Sequence, residues 1–230
     1  MQILYNKLKK YSLDDAVDFE QSDRQFLAMK NLYENKLCDD EHYLFMTITN
    51  ALICYQLSGK GEDYWEEFSE ALKSKNISSF IDVKDFFENF LVVSKNNKRL
   101  VNVKLGRIEK LERFYIEFLQ NTEVYYKDMN KLAHDLASVM NQKVEAKTII
   151  FAVKMFSYSS RNVFDYLEYF PVNLMIPIDS RLENLYKKYG NKSKKEIREF
   201  YIDLSKKLNI PLLHLDAVLW VNYDDLMNEK

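Results

Sequence analysis

Two side chains in the C-terminal half are of the types that Schiff-base chemistry requires. Lys147 follows a short polar turn and falls in the first turn of a predicted helix. The partial positive charge of a helix N-terminus disfavours an ammonium group, which favours the neutral amine that acts as a nucleophile. Asp179 ends the stretch Pro177–Asp179, where its carboxylate can cap the next predicted helix and face a second helix start across a cleft. The ordinary alternatives are a solvated surface lysine and an aspartate that only caps.

A second group of side chains could hold a flat ligand. Asp216 and Trp220 lie four residues apart on a predicted helix, so one helix face presents both a carboxylate and an indole. Such a face can hydrogen-bond to a nucleobase and stack on it. Phe151 lies one turn after Lys147, and Trp65 follows a glycine-containing turn. Core packing is the alternative for all three aromatic residues.

The elements that position Lys147 form a helix, a tight turn of about five residues at 141–145, and a second helix. This is the layout of a helix-hairpin-helix, in which backbone N–H groups of the turn and the N-terminus of the second helix can bind DNA phosphates. An ordinary helical hairpin has the same spacing.

A long helix is predicted from about Lys98 to Leu119, and the stretch 95–113 is the most basic of the chain. This stretch, with Lys104 and Arg107, is either a phosphate-binding face or a solvated helix surface.

Composition limits the fold and the function. The chain has 230 residues with only four glycines and three prolines, and helical periodicity runs through most of it, which predicts an all-α fold of nine to eleven helices. Glycine-rich nucleotide-binding motifs are absent. The net charge of -2 excludes a global basic field, so a nucleic-acid site must be a local patch. Two cysteines and three histidines exclude a disulfide framework and argue against a metal centre. With no long apolar segment and no signal-peptide pattern, we expect a cytoplasmic, nucleoid-associated protein without a membrane partner.

Lys147-Thr148 after a hairpin and Pro177-Ile178-Asp179 after a loop resemble the helix-hairpin-helix DNA glycosylase superfamily. Within it, the chain is most similar to the archaeal 8-oxoguanine DNA glycosylases, also called archaeal GO glycosylases. The stretches that carry this resemblance are Asn50–Leu52, Tyr55–Trp65 and Lys147–Met155. The usual Leu-Pro-Gly-Val-Gly hairpin of the superfamily is replaced here by a stretch without glycine, a departure that the archaeal branch shares.

The resemblance implies one glycosylase domain over residues 1–230, with an active-site cleft between two helical subdomains. The expected subdomains are 39–160, with the hairpin at 140–148, and 1–38 together with 161–230. The implied activity is excision of 8-oxoguanine from DNA and strand cleavage by β-elimination. The implied partner is damaged double- or single-stranded DNA, bound by a monomer that needs no metal or other cofactor.

The resemblance also implies residue roles. Lys147 would attack C1′ of the damaged nucleoside, and Asp179 would stabilise positive charge on the sugar and assist proton movement. The flipped base would lie between the rings of Phe151 and Trp220, with its edges bound by Trp65 and Asp216. The polar base contact would be Gln25, with Gln56 as the alternative. Two other functions remain open at this point: a non-catalytic helical DNA- or protein-binding module, and a glycosylase for a different base lesion.

Overall fold

The computed structural model describes residues 1–190 and 197–228. In these residues the chain forms fifteen α-helices and no β-strand, so the all-α prediction is confirmed, although the predicted number of helices was too low. Within the same residues, no helix has both the length and the apolar character needed to cross a membrane. The helices are α1 (Gln2–Leu8), α2 (Leu13–Ser22), α3 (Arg24–Asn35), α4 (Asp40–Ile53), α5 (Gly61–Leu72), α6 (Phe80–Val93), α7 (Val101–Lys110), α8 (Glu112–Gln120), α9 (Thr122–Lys127), α10 (Met129–Met140), α11 (Lys147–Val163), α12 (Ser180–Tyr189), α13 (Ile197–Leu208), α14 (Leu212–Val221) and α15 (Tyr223–Asn228).

The chain divides into two compact units. Unit 1 comprises Met1–Asp23 and Tyr169–Lys230, and unit 2 comprises Arg24–Glu168. Helix α3 and residues 161–168 therefore belong to unit 2, whereas the predicted boundaries near residues 38 and 160 placed them in the other subdomain.

Unit 1 is organised by the contact between α2 and α14. Helix α2 begins with a capping box, in which the Ser12 hydroxyl accepts the Asp15 N–H at 3.1 Å and the Asp15 carboxylate accepts the Ser12 N–H at 2.7 Å. Helix α14 is apolar on nearly all sides, and its residues 212–219 are all buried. A helix of this kind must lie inside its unit, which fixes the position of the side chains it carries.

A buried polar connection holds α14 in place. The Glu20 carboxylate lies 2.8 Å from Nδ1 of His214, and both side chains are fully buried. The N–H of Phe170 donates to Nε2 of the same ring at 3.0 Å. Because Nε2 accepts, the ring proton lies on Nδ1 and is donated to Glu20. The histidine thus joins α2, α14 and the segment that leads into the loop before α12.

Unit 2 is built around α4 and α11, which pack along each other. Helix α4 begins after Asp39, whose carboxylate accepts the His42 N–H at 2.8 Å, and its residues 42–53 are all buried. Between Ile149 and Ser160 of α11, every residue except Phe151 is buried. Since α11 begins at Lys147, the lysine is the first residue of a helix that is fixed in the core.

Among residues 1–190 and 197–228, four residues other than glycine have left-handed backbone conformations: Gln56, Leu100, Asn141 and Asn209, with φ between 46° and 56°. The glycines at 59, 61, 106 and 190 have no positive φ. A left-handed conformation costs a residue with a Cβ about 1–2 kcal/mol, and asparagine tolerates it better than most residues.

Candidate active site

The predicted helix, turn and helix around Lys147 are present. Helix α10 ends at Met140, the left-handed Asn141 reverses the chain, and α11 begins at Lys147. The Gln142 N–H donates to the Ala137 carbonyl at 2.9 Å, which closes the end of α10. The left-handed position that often requires glycine is therefore taken by an asparagine.

The Lys147 side chain is exposed at an N-terminus that no side chain caps. Ala146 occupies the N-cap position and offers no side-chain acceptor, so the N–H groups of the first turn keep their partial positive charge toward solvent. Lys154 lies two turns further along α11 but is only 4% exposed, with Nζ 5.4 Å from the ring centre of Tyr158. Of these two lysines, only Lys147 presents its amine to a ligand from solvent.

Aromatic residues and a thiol lie near Lys147 in unit 2. Trp65 of α5 is fully buried, and its ring meets that of the half-buried Phe151 edge-on at 6.1 Å. Burial raises the pKa of the Cys54 thiol to about 12, while the Trp65 indole and the cationic groups of Lys104 and Lys147 oppose this shift. The Trp65 Nε1–H meets no acceptor with hydrogen-bond geometry among the residues described. The Cys54 sulfur beside it is only a weak acceptor, so a polar ligand atom could satisfy this buried donor.

The two glutamine candidates lie in unit 2 but in different settings. Gln25 is half-buried on α3, and its Nε2 lies 3.5 Å from the position that a Cβ on Gly61 would occupy. Gly61 is the first residue of α5, one turn before Trp65, so Gln25 lies beside the start of the helix that carries the indole. Gln56 is exposed and left-handed in the loop between α4 and α5.

That loop is fixed by the turn that follows α6. The N–H groups of Ser58 and Gly59 both donate to the Asn96 carbonyl, at 2.8 and 3.2 Å. A Cβ on Gly59 would lie 1.9 Å from Asn96 Oδ1, so a side chain at this position requires Asn96 to move. The Glu67 carboxylate holds Asn96 through its backbone N–H at 3.2 Å and its side-chain amide at 3.0 Å. The Gln-Leu-Ser-Gly-Lys-Gly stretch is therefore constrained by close backbone packing.

In unit 1, Asp179 caps α12 as predicted. Its Oδ1 accepts the Leu182 N–H at 2.9 Å, and the side chain is half-buried. Tyr201 is fully buried and donates its hydroxyl to the Leu182 carbonyl at 2.6 Å. Burial raises the pKa of Tyr201, and the carboxylates of Asp179 and Asp216 add to this shift. Both candidate carboxylates of unit 1 therefore lie within electrostatic reach of one phenol.

Trp220 is half-buried at the end of α14 and is already stacked on one side. The guanidinium carbon of Arg181 lies 3.6 Å from the centre of the indole ring and 5.5 Å from that of Tyr223. Asp216, one turn earlier, is 6% exposed. One face of the Trp220 ring thus contacts a cation, and any base that stacks here would use the other face.

The basic stretch is only partly a surface. Lys104 is fully buried, donates to the Asn97 side chain and places Nζ 5.2 Å from the ring centre of Tyr55. The prediction that Lys104 contacts phosphate is therefore wrong, because α7 turns this lysine toward the interior of unit 2 alongside Ile108. Arg107 is half-buried and contacts the hairpin. The exposed cations of this stretch are Lys95, Lys98, Arg99, Lys110 and Arg113.

No cluster of three or more His, Cys, Asp or Glu side chains suited to a metal ion occurs in residues 1–190 and 197–228.

Comparison with solved structures identifies the fold. The fold matches that of an archaeal DNA glycosylase, solved as the 8-oxoguanosine complex of Pa-AGOG, the 8-oxoguanine DNA glycosylase from Pyrobaculum aerophilum. The TM-score is 0.81 at 22% sequence identity, over 95% of this chain and 85% of that one.

The family follows from sequence. The model of the AGOG family of N-glycosylase/DNA lyases matches residues 5–230, and the chain belongs to this family. An N-glycosylase/DNA lyase from Methanococcus maripaludis is 39% identical over 202 residues, which cover 87% of this chain and 78% of the relative. One from Methanopyrus kandleri is 35% identical over 216 residues, which cover 93% and 86%. The chain is therefore a bifunctional DNA glycosylase and lyase of DNA repair, and the non-catalytic alternative is set aside.

Proposed function

We propose that this enzyme excises 8-oxoguanine from DNA through a Schiff base on Lys147 and then cleaves the strand by β-elimination. The observation that carries the proposal is the exposed Lys147 amine at the uncapped N-terminus of α11, close to Trp65 and Phe151 in unit 2. The fold of the Pyrobaculum aerophilum protein, whose structure holds 8-oxoguanosine, supports the choice of lesion.

The neutral amine of Lys147 forms a bond to C1′ while the bond from C1′ to the base breaks and its electron pair leaves with the base. Opening of the sugar ring then gives an iminium ion between Nζ and C1′. Loss of a proton from C2′ expels the 3′ phosphate, which is the lyase step. The amine is the nucleophile of the first step, and the iminium ion it forms makes the C2′ proton acidic enough for the elimination, so this sequence requires no metal ion or other cofactor.

Asp179 stabilises the positive charge that develops on the sugar as the base departs. Its carboxylate is oriented by the Leu182 N–H, so the group needs little reorganisation when the charge appears. The same carboxylate can accept and return protons during ring opening, which is the second role assigned to it.

Base recognition is shared among the remaining candidates. Phe151 and Trp220 each offer a ring for stacking on an extruded base, which offsets part of the cost of extrusion. The Trp65 Nε1–H, whose protein neighbour Cys54 is only a weak acceptor, can donate to the base, and Asp216 supplies an acceptor. Gln25 is the proposed polar contact to the base, because it lies beside the start of α5, which carries Trp65. Gln56 is the alternative, but its side chain is exposed in the loop between α4 and α5.

Borohydride trapping tests the covalent step. Wild-type protein incubated with an 8-oxoguanine duplex and borohydride should form a stable adduct, because reduction converts the iminium ion to an amine. Lys147→Gln should abolish the adduct and keep DNA binding. Lys143→Gln is the matched control, since this exposed lysine lies in the same turn, and its adduct should persist. A normal adduct with Lys147→Gln would move the nucleophile to another lysine, Lys154 first.

A glycosylase for a different lesion is the second candidate, and a lesion panel tests it. Duplexes that differ only in the damaged base should be compared in single-turnover excision by the wild-type enzyme. We expect 8-oxoguanine to be released fastest; faster release of another base would favour the second candidate.

The enzyme should bind double- or single-stranded damaged DNA as a monomer, which analytical ultracentrifugation of the protein with either substrate tests.

A further inference from the structure

Three side chains form a closed set of hydrogen bonds across the hairpin. Gln142 Oε1, in the turn, accepts from Arg107 Nη2 at 3.1 Å and from Thr148 Oγ1 at 3.1 Å. Arg107 Nη2 also donates to Thr148 Oγ1 at 3.1 Å. Thr148 directly follows Lys147 in the first turn of α11, so Arg107 of α7 connects the turn to the start of the helix that presents the proposed nucleophile.

Arg107 is half-buried against an aromatic ring. Its guanidinium carbon lies 5.4 Å from the ring centre of Tyr55, and its buried Nε has no hydrogen-bond partner among the described residues, so the hydrogen bonds of Nη2 to the hairpin orient the group. A second arginine contacts the end of α10, the helix before the turn: Arg113 Nη2 donates to the Ser138 and Val139 carbonyls at 3.3 and 2.9 Å. Both sides of the turn are thus held by arginines from α7 and α8.

The need for such a support follows from the sequence of the turn. Residues 141–146 contain no glycine, so the turn is shaped by side-chain hydrogen bonds and by the left-handed Asn141. A planar guanidinium can donate from one nitrogen to two neighbouring acceptors with fixed geometry, which the flexible ammonium of a lysine does not reproduce.

We infer that Arg107 is a positioning residue that fixes the N-terminus of α11, and hence the Lys147 amine, through Gln142 and Thr148. It acts on the rate of the covalent step and makes no phosphate contact, contrary to the expectation from the basic stretch. The inference rests on the proposed function, because it concerns the geometry of the Lys147 attack.

Three variants test the inference: Arg107→Met, Arg107→Lys and Gln142→Leu. The measurements are the single-turnover rate of borohydride trapping at saturating 8-oxoguanine duplex, and the slope of log Kd against log salt. All three variants should trap about ten- to a hundredfold more slowly than wild type, since small displacements of reacting groups have effects of this size. The salt slope should stay within about 0.3 of the wild-type value, because no phosphate contact is lost.

Gln142→Leu is the decisive variant, because it removes the hydrogen bonds to Arg107 and Thr148 without changing charge and replaces an exposed side chain outside the core. Lys30→Met is the charge control: it removes one exposed cation of α3 and should trap at the wild-type rate. Amide hydrogen exchange across residues 141–149 should increase in Gln142→Leu, which reports the loosened turn independently of chemistry.

A phosphate contact would give the opposite pattern. Arg107→Met would then lower the salt slope by about 0.9, Arg107→Lys would restore binding, and Gln142→Leu would trap like wild type, which together would overturn the inference. Wild-type trapping rates in all three variants would overturn it while leaving the proposed function intact. Absence of trapping by the wild-type enzyme would overturn both.

Discussion

Asp179 has a structural role that its substitution can separate from its proposed catalytic role. Its carboxylate caps α12 by accepting the Leu182 N–H at 2.9 Å, and asparagine is an equally good capping residue. Asp179→Asn should therefore keep the cap and lose the charge, whereas Asp179→Ala should lose both.

The two losses have different magnitudes. Removal of a capping side chain costs about 1 kcal/mol, which lowers the Tm of a chain of this length by about 2–4 °C. Removal of a group that stabilises transition-state charge lowers the rate by about 10²–10³-fold, or about 2.7–4 kcal/mol of barrier. Asp179→Asn should thus melt close to wild type and excise slowly, and Asp179→Ala should be impaired in both respects.

The assay pairs thermal melting with single-turnover excision from an 8-oxoguanine duplex. Asp128→Ala is the matched control, because Asp128 caps α10 by accepting the Lys131 N–H at 3.0 Å. It should lower the Tm and leave excision near wild type. Excision by Asp179→Asn within about threefold of wild type, which is about 0.65 kcal/mol, would refute the electrostatic role. If Asp179→Asn lowered the Tm as much as Asp179→Ala does, the capping argument would be refuted.

Three further outcomes follow from contacts within the two units. Trp220→Ala should weaken binding of free 8-oxoguanosine by about 1–3 kcal/mol in calorimetric titration; unchanged affinity with an intact fold would make Trp220 a packing residue. His214→Leu should lower the free energy of unfolding in urea by about 3 kcal/mol, because the buried Glu20 carboxylate loses its histidine partner, and a loss below about 1 kcal/mol would contradict this. Gly59→Ala should cost about 1–3 kcal/mol in the same assay, and adding Asn96→Ala should recover part of the loss because it removes the clashing amide; a purely additive loss would argue against the clash.

Local patterns predicted the fold around the candidate site well. The helix expected to begin after Asp179 is α12, because an aspartate after a proline-containing loop is a strong helix-start pattern. The long helix expected from Lys98 to Leu119 is two helices that meet at Leu111. Buried apolar residues continue in helical spacing through Ile108, Leu111 and Phe114, and no glycine or proline marks the junction, so periodicity alone could not locate it.

Charge patterns predicted the roles of the basic residues less well. A run of lysines and arginines shows that a stretch is polar, but not which side chain points inward. Lys104 is buried because Asn97 supplies a hydrogen-bond acceptor and the Tyr55 ring lies nearby. Arg107 is directed to the hairpin by Gln142, which comes much later in the chain. Such partners are set by tertiary packing, so a composition count could not distinguish a phosphate contact from an internal support.

The scarcity of glycine affects the unfolded chain as well as the folded one. A residue with a Cβ has fewer backbone conformations available in the unfolded ensemble than glycine, so less entropy is lost when its turn forms. At Gln56, Leu100, Asn141 and Asn209 the folded chain carries the opposing steric cost of left-handed backbone. The turns of this protein thus combine a reduced entropic penalty with some stored strain. Replacing Leu100 or Asn141 by glycine would relieve that strain while widening the ensemble from which the chain must refold.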